Sequence, residues 1–317
     1  MSKKYAFLFP GQGAQAPGMI KDVAEAFPSA KKVIDDVSSI INVDMAKLMW
    51  KSDATELSRS DNSQIAITTA SLAIMAALKE KGIEPAAAMG FSLGEFPALY
   101  AAGVLSFEDV IKVVRQRGII MQKVCEEIAA ENSGHAPGMS AILGLSPESV
   151  KAIADKIKDA YAANMNSAKQ TVISGTFDAL DQAEKAALEA GARRALRLKV
   201  AGPFHSPLMQ KAADQFEEVL KNVTFAEPKI PLFSNVTGKQ AANAAEVKTS
   251  AVLHLTHGVQ WTSEEAVLAS IIKADKADWS IIEPGPGKVL TGLWGQTSFG
   301  ATLASVPVNT VDSINSL

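Results

Sequence analysis

The stretch KYAFLF at residues 4 to 9 is apolar from Tyr5 onward and runs into the glycine-rich PGQGAQ, which predicts a strand followed by a loop. Apolar positions then recur at helical spacing at about 18 to 27, 29 to 40 and 64 to 81. The third pattern belongs to the longest apolar region, QIAITTASLAIMAALKEKG. It carries Gln, Thr and Ser and ends in charges after too few residues to span a bilayer, so it reads as a buried helix. AAAMGFSLGE follows as a short buried strand, a tight turn and a helix start.

The pattern changes character after EEIAAENSGHAPG, residues 126 to 138, whose Asn, Ser, Gly and Pro predict a loop. From Met139 to Val200 the period switches repeatedly: MSAILGL strand, SPESVKAIADKI helix capped by Ser146 with Pro147 just inside, YAANMNS and QTVISG strands. TFDALDQAEKAALEAG is a helix ended by Gly191, and RRALRLKV a closing strand. The order βαββαβ is that of a ferredoxin-like unit inserted in a larger α/β unit. The expected division is 1–128 with 201–317 for the large part and 129–200 for the small one. Beyond Pro203 come a helix over about 207 to 221, the strand IPLFSNV, a helix near 263 to 274, the strand WSIIEPGPG and a polar end, VNTVDSINSL, expected to fray.

Composition narrows the function. With 317 residues, 47% of them hydrophobic, the chain can bury a sizeable core. Its 31 basic and 34 acidic residues leave a net charge of −3 with no long block of one sign, so neither nucleic acid nor an anionic membrane is an expected partner. The single cysteine, Cys125, forms no intrachain disulfide and suits a reducing compartment; it reads as a half-buried helix residue. The apolar stretch before Pro10 is shorter than the core of a signal peptide, and a cytoplasmic protein is expected.

GFSLGE, residues 90 to 95, places Ser92 between glycines in the strand, turn, helix order that the G-x-S-x-G elbow requires. A serine nucleophile needs a base, and the chain has four histidines. His135 lies in the polar linker and reads as solvated. His254 and His257 are three apart, yet no Cys, Asp or Glu stands close enough to complete a metal site. His205, in AGPFHSPLM, directly precedes Ser206 and Pro207, an expected N-cap and first helical position. The positive end of that helix would keep the imidazole neutral and able to accept a proton. In FEDVIKVVRQRGIIMQKV, Val110, Val114, Arg117, Met121 and Val124 share one stripe facing the core. A guanidinium there needs a carboxylate, either from the protein or from a substrate. Gly118 beside it suggests that something approaches the helix backbone closely.

Together these segments resemble the malonyl-CoA:acyl carrier protein transacylases of fatty acid synthesis. The similarity covers FPGQGAQ at 9 to 15, GFSLGE, RG at Arg117, NMNSAKQTVISG at 164 to 175, GPFHSPLM at 202 to 209, VQW at 259 to 261 and GPGKVLTGL at 285 to 293. The resemblance implies an α/β-hydrolase-like large subdomain with an inserted ferredoxin-like small one. It also implies roles: Ser92 attacks the malonyl thioester, His205 takes and returns its proton, and the backbone N–H groups of Gln12 and Leu93 form the oxyanion hole. Arg117 would hold the malonyl carboxylate, with Gln64, Met121, Asn164, Asn166 and Phe204 around the substrate, and the carbonyl of Gln260 would orient His205.

On this resemblance malonyl-CoA is a substrate, acyl carrier protein the partner, no cofactor is tightly bound and the chain is a monomer. Because the carrier is acidic in the family, the face of the closing strand that carries Arg193, Arg197 and Lys199, opposite Leu196, Leu198 and Val200, is a candidate docking patch together with Lys288. Three features depart from the family pattern. Phe91 stands where a histidine is common, Pro97 lies early in the helix after the elbow, where loss of one backbone hydrogen bond is expected, and the linker is long. Phe204 resembles the bulky residue of malonyl-selective acyltransferases, which implies a preference for malonyl over methylmalonyl through crowding of an α-methyl group. A serine esterase or thioesterase, an acyltransferase of a polyketide pathway and a noncatalytic carrier-binding module are the alternatives; an esterase has no need for Arg117.

Overall fold

The structure is a computed structural model describing residues 3–132 and 134–317. Met1, Ser2 and Ser133 of the expected linker lie outside the described residues.

Strands β1 (Lys4–Phe9), β2 (Pro85–Gly90), β9 (Trp279–Pro284) and β10 (Ser305–Val308) form a parallel sheet in the order β10-β9-β1-β2. Tyr5, Phe7 and Phe9 of β1 feed one apolar core while Ala6 and Leu8 feed another, so both faces of the sheet are covered. This is why KYAFLF shows no polar alternation. The Ser60–Glu80 helix packs against the Phe107–Glu131 helix, and Gly118 permits a close approach: a Cβ there would stand 2.7 Å from the carbonyl oxygen of Ser60.

The second sheet comprises β3 (Gly138–Leu143), β4 (Ala160–Ser167), β5 (Gln170–Gly175) and β6 (Arg194–Arg197), antiparallel in the order β4-β5-β3-β6. That is the strand order of a split βαββαβ unit. Ile142 and Ile173 on one face meet Val150 and Leu180 from its two helices, Pro147–Ala154 and Phe177–Glu189. Met139, Ala141 and Val172 on the other face join the main core. The N–H of Met165 donates to the carbonyl of Val259 and the N–H of Val259 to that of Ala163, stitching β4 to the larger part.

Several elements differ from expectation. The Phe107–Glu131 helix continues through the first half of the expected linker, because Glu126–Glu131 are good helix formers. IPLFSNV shrinks to a bridge between Leu232 and Ala88 plus the two-residue β7 (Phe233–Ser234), which turns back onto β8 (Lys239–Gln240). Pro231 has no N–H for a ladder, and Asn235 is turned into the site instead. The C-terminal segment does not fray. Val308 ends β10, Thr310 caps the helix Val311–Asn315 with a capping box, and Ile314 is buried. Among the described residues no helix is long and apolar enough to cross a membrane.

Candidate active site

β2 delivers Gly90 to the sheet edge and the chain reverses through Ser92, whose φ of 50° lies in the left-handed region. For a residue with a Cβ this costs about 1–2 kcal/mol, so the surroundings must impose it. A Cβ on Gly90 would run into the carbonyl of Gly94, and one on Gly94 into the carbonyl of Phe9. Only glycine lets the turn close onto β1. Asn235 completes the clamp: its Oδ1 accepts from the Ser92 N–H at 2.6 Å, and its Nδ2 donates to the Gly90 carbonyl at 2.7 Å. Pro97 is the third residue of the Glu95–Ala101 helix, in the first turn where N–H groups commonly lack a helical acceptor, so the expected loss of a hydrogen bond has little effect.

Ser92 Oγ lies 2.7 Å from His205 Nε2. The other ring nitrogen, Nδ1, stands 3.0 Å from the carbonyl oxygen of His254 and 3.2 Å from that of His257. Carbonyls only accept, so Nδ1 carries the proton and Nε2 presents a lone pair to the serine hydroxyl. Gln260, expected to orient this ring, is not its partner. Its carbonyl begins the Trp261–Ala274 helix and accepts from the N–H groups of Ser263 and Glu264. His254, by contrast, follows the Ala244–Leu253 helix, where the last carbonyls have no helical donor and are free for His205.

Burial first, then the nearby positive charge of Arg117, push His205 down to about 4, against the pull of the two carbonyls. Ser206 stands at the N-cap and Pro207 at the first position, as expected, but Ser206 Oγ donates to the Pro203 carbonyl instead of capping, and the first turn, Pro207–Met209, is 3₁₀ before the Gln210–Lys221 helix.

Val110, Val114, Arg117, Met121 and Val124 are all buried, as a core-facing stripe should be. Arg117 is 1% exposed and has no ion pair within 4 Å among the described residues. Its Nη1 donates to Gln64 Oε1 at 2.7 Å, its Nη2 stands 3.3 Å from His254 Nδ1, its carbon centre lies over the Phe96 ring, and Nε has no partner. Burial lowers it to about 9, partly offset by Glu95, so it is protonated at neutral pH. Burial likewise raises Glu95 to about 7, opposed by the N–H of Asn235 and by Arg117.

Gln64 Nε2 reaches both Gln12 Oε1 and Met121 Sδ at 3.3 Å, so these three and Arg117 form one group. The backbone N–H groups of Gln12 and Leu93 have no acceptor among the described residues. A cleft of about 290 Å³ is lined by Gln12, Ser92, His205, Asn164, Asn166 and Phe204; Arg117, Gln64 and Met121 are not part of its lining. Phe91 also lines it and packs edge-on against Trp261 at 5.4 Å between ring centres.

Residues 6–291 match the acyl transferase domain family. A malonyl CoA-acyl carrier protein transacylase of Bacillus subtilis is 39% identical over 294 residues, covering 92% of this chain and 89% of that one. The chain belongs to the malonyl CoA-acyl carrier protein transacylase family. The Escherichia coli K12 transacylase is 36% identical over 92% of this chain and 91% of its own length. An acyl carrier protein S-malonyltransferase structure from Vibrio cholerae superposes with a TM-score of 0.89 at 36% identity, covering 99% of each chain. A malonyl-transacylase solved in complex with a type II PKS acyl-carrier protein gives a TM-score of 0.88 at 34% identity, covering 99% of this chain and 98% of that one.

The basic strand of the transacylase chain differs from expectation. β6 stops at Arg197, and Leu196 and Val200 are 46% and 40% exposed, so of the expected apolar face only Leu198 is half-buried, against the main core. Arg197 is engaged within the chain, 2.6 Å from Asp181 and 2.7 Å from Glu184, over the ring of Phe177. Arg193 and Lys288 are exposed, and Lys199 lines the cleft. Cys125 is buried rather than half-buried, and burial pushes its thiol up to about 12. His135 is exposed, with its ring centre 4.6 Å from that of Phe177. His257 Nδ1 faces Thr256 Oγ1 and the Leu253 carbonyl.

Three residues of the transacylase site carried no signal for sequence reasoning: Asn235, Glu95 and the side chain of His254. Glu95 closes GFSLGE and Asn235 is the penultimate residue of IPLFSNV, but only the fold brings Asn235 to Ser92 and Glu95 to Asn235 and the His254 ring.

Proposed function

We infer that the protein moves the malonyl group of malonyl-CoA to the phosphopantetheine thiol of an acyl carrier protein through a malonyl ester on Ser92. The observation carrying this reading is a serine 2.7 Å from a neutral histidine, with a buried arginine that has no ion pair within 4 Å among the described residues. His205 Nε2 takes the hydroxyl proton as Oγ attacks the thioester carbon, and returns it to the departing CoA thiolate. The second half-reaction reverses these steps with the carrier thiol as nucleophile, a ping-pong sequence. The free N–H groups of Gln12 and Leu93 suit the oxyanion; one such donor is typically worth roughly a hundred- to thousandfold in rate. Arg117 pairs with the malonyl carboxylate, among Gln64, Met121, Asn164, Asn166 and Phe204. No step calls for a metal or a tightly bound cofactor.

On the same reading the chain divides into 1–128 with 201–317 and an inserted 129–200. It works as a cytoplasmic monomer, and Arg193, Lys199 and Lys288 meet the acidic carrier. Phe204 disfavours an α-methyl donor. The likeness to a transacylase bound to a type II PKS carrier supports a second reading in which the carrier serves a polyketide pathway. Comparing a fatty acid carrier with a polyketide carrier as acceptor separates the two.

The decisive experiment weighs the intact protein after incubation with malonyl-CoA, acetyl-CoA or methylmalonyl-CoA, without carrier, beside Ser92→Ala and Arg117→Ala. A malonyl adduct on the wild type, absent in Ser92→Ala, with malonyl lost and acetyl gained in Arg117→Ala, is the expected outcome. Free CoA released without an adduct would mean that water reaches the ester, and the hydrolase reading would replace this one.

A further inference from the structure

Arg117 enters the site from a helix, but what aims its guanidinium comes from elsewhere. Two side chains hold it: Gln64 Oε1 at 2.7 Å from Nη1 and His254 Nδ1 at 3.3 Å from Nη2. A guanidinium only donates, so the His254 nitrogen facing it must be an unprotonated acceptor. The ring proton therefore sits on Nε2, which faces two acceptors, Asn235 Oδ1 at 3.4 Å and Glu95 Oε2 at 3.5 Å. The two assignments agree. Each ring nitrogen has the partner that this one neutral tautomer requires. The ring is 1% exposed and stands edge-on to Phe96, the ring that also lies under the Arg117 guanidinium. Burial, then Arg117, then His205 all disfavour the charged form.

We propose that the His254 side chain is a positioning residue for the acyl anchor: as a neutral imidazole it links Glu95 and Asn235 to Arg117 and sets the direction in which Arg117 offers its remaining N–H groups to the donor's carboxylate. With Gln64 and His254 each using one N–H, three remain, among them the buried and unpartnered Nε–H. A carboxylate taking two neighbouring N–H groups needs the plane of the guanidinium held in place, and His254 supplies one of the two points that hold it. The same residue serves the base through its main chain, since its carbonyl accepts from His205 Nδ1. One residue thus ties base and anchor together, its backbone oriented to one and its ring to the other. A side-chain substitution separates the two roles because the carbonyl stays.

This inference rests on the malonyl-transfer reading, and the test keeps the two apart. Wild type, Arg117→Ala, His254→Leu and His254→Gln are compared for KM and kcat with malonyl-CoA and for the malonyl-over-acetyl preference in ester formation. His254→Leu removes the acceptor. It should raise the KM for malonyl-CoA roughly ten- to a hundredfold, the range for losing one hydrogen bond to a charged group, change kcat far less, and narrow the preference. His254→Gln offers an amide oxygen to Nη2 and should recover most of the KM and of the preference.

A His254→Leu variant that lowers kcat with KM unmoved would make the ring part of the His205 scaffold and overturn the proposal. So would a variant with unchanged malonyl kinetics, or a His254→Gln variant no better than His254→Leu. An Arg117→Ala variant that keeps the malonyl preference would remove Arg117 as the anchor and this proposal with it, whereas a wild type that forms no malonyl ester would overturn the malonyl-transfer reading itself. Thermal denaturation of each variant, matched to wild type, secures the comparison against simple unfolding.

Discussion

The turn around Ser92 and the strand β6 are both short, polar-tipped segments whose side chains were expected to face a partner, yet they behave in opposite ways. At the turn the tertiary structure overrides local preference. Ser92 and His205 both hold positive φ, two glycines are the only residues that fit, and Asn235 pins the backbone from a distant segment. At β6 little constrains the chain: four residues pair along an edge, apolar Leu196 and Val200 lie exposed, and Arg197 falls back onto acidic residues of the adjacent helix. Alternation along a strand tells faces apart only where one face is buried. A motif that demands a strained backbone, by contrast, is legible because few residues tolerate the strain.

The contrast can be broken most sharply at the turn itself. Gly94→Ala should abolish folding or lower stability by more than about 3 kcal/mol, since the added Cβ meets backbone that cannot move aside; denaturant unfolding measures it. Ser92→Ala, which keeps the fold, should cost at least roughly ten-thousandfold in kcat, read in steady-state transfer.

Next in size is Asn235→Ala, which leaves the Ser92 N–H and the Gly90 carbonyl without their partner. A stability loss of about 2–4 kcal/mol is expected from two buried groups left unsatisfied, with a fall in kcat rather than a rise in KM. A rise in KM alone would show that the clamp does not set the serine's position.

The pH dependence sharpens the same region. His205 acts as a base only when neutral, and its folded value of about 4 lies below the ordinary 6.5. Transfer followed through kcat/KM should therefore stay nearly level from pH 7 to 5.5, where an ordinary histidine would already lose about tenfold. For stability, the unfolded chain binds the His205 proton first as pH falls, so this contribution is present above 6.5 and lost as pH drops through about 4. Glu95 acts in the opposite sense. Its contribution is full below the ordinary 4.5 and is lost as pH rises through about 7. Glu95→Gln should remove that second trend, which acid and neutral unfolding curves would reveal.

The smallest effects belong to the basic edge. Arg193→Glu with Lys288→Glu should raise the KM for the carrier severalfold while leaving ester formation from malonyl-CoA intact; equal effects on both half-reactions would remove the docking role. Arg197→Ala should change stability by no more than about 1 kcal/mol, as partly exposed ion pairs do, and leave the carrier KM unmoved.

Much of the molecule was written locally. KYAFLF, AAAMGFSLGE and the switching periods of 139 to 200 specify their strands and helices through the side chains of each segment. Arg117 was visible because a charge interrupts an apolar stripe, and Ser92 because glycines bracket it. What the sequence could not determine is which groups meet across long separations. The partner of His205 is set by which backbone carbonyls remain unpaired: Gln260 is consumed by the helix it starts, and His254 and His257 are left free by the helix that ends before them. Asn235 reaches Ser92 across 143 positions, and the His254 ring reaches Arg117 across 137. Such contacts leave no periodicity in the chain. They arise when buried donors and acceptors must find partners inside a packed interior, and only the tertiary structure decides which ones do.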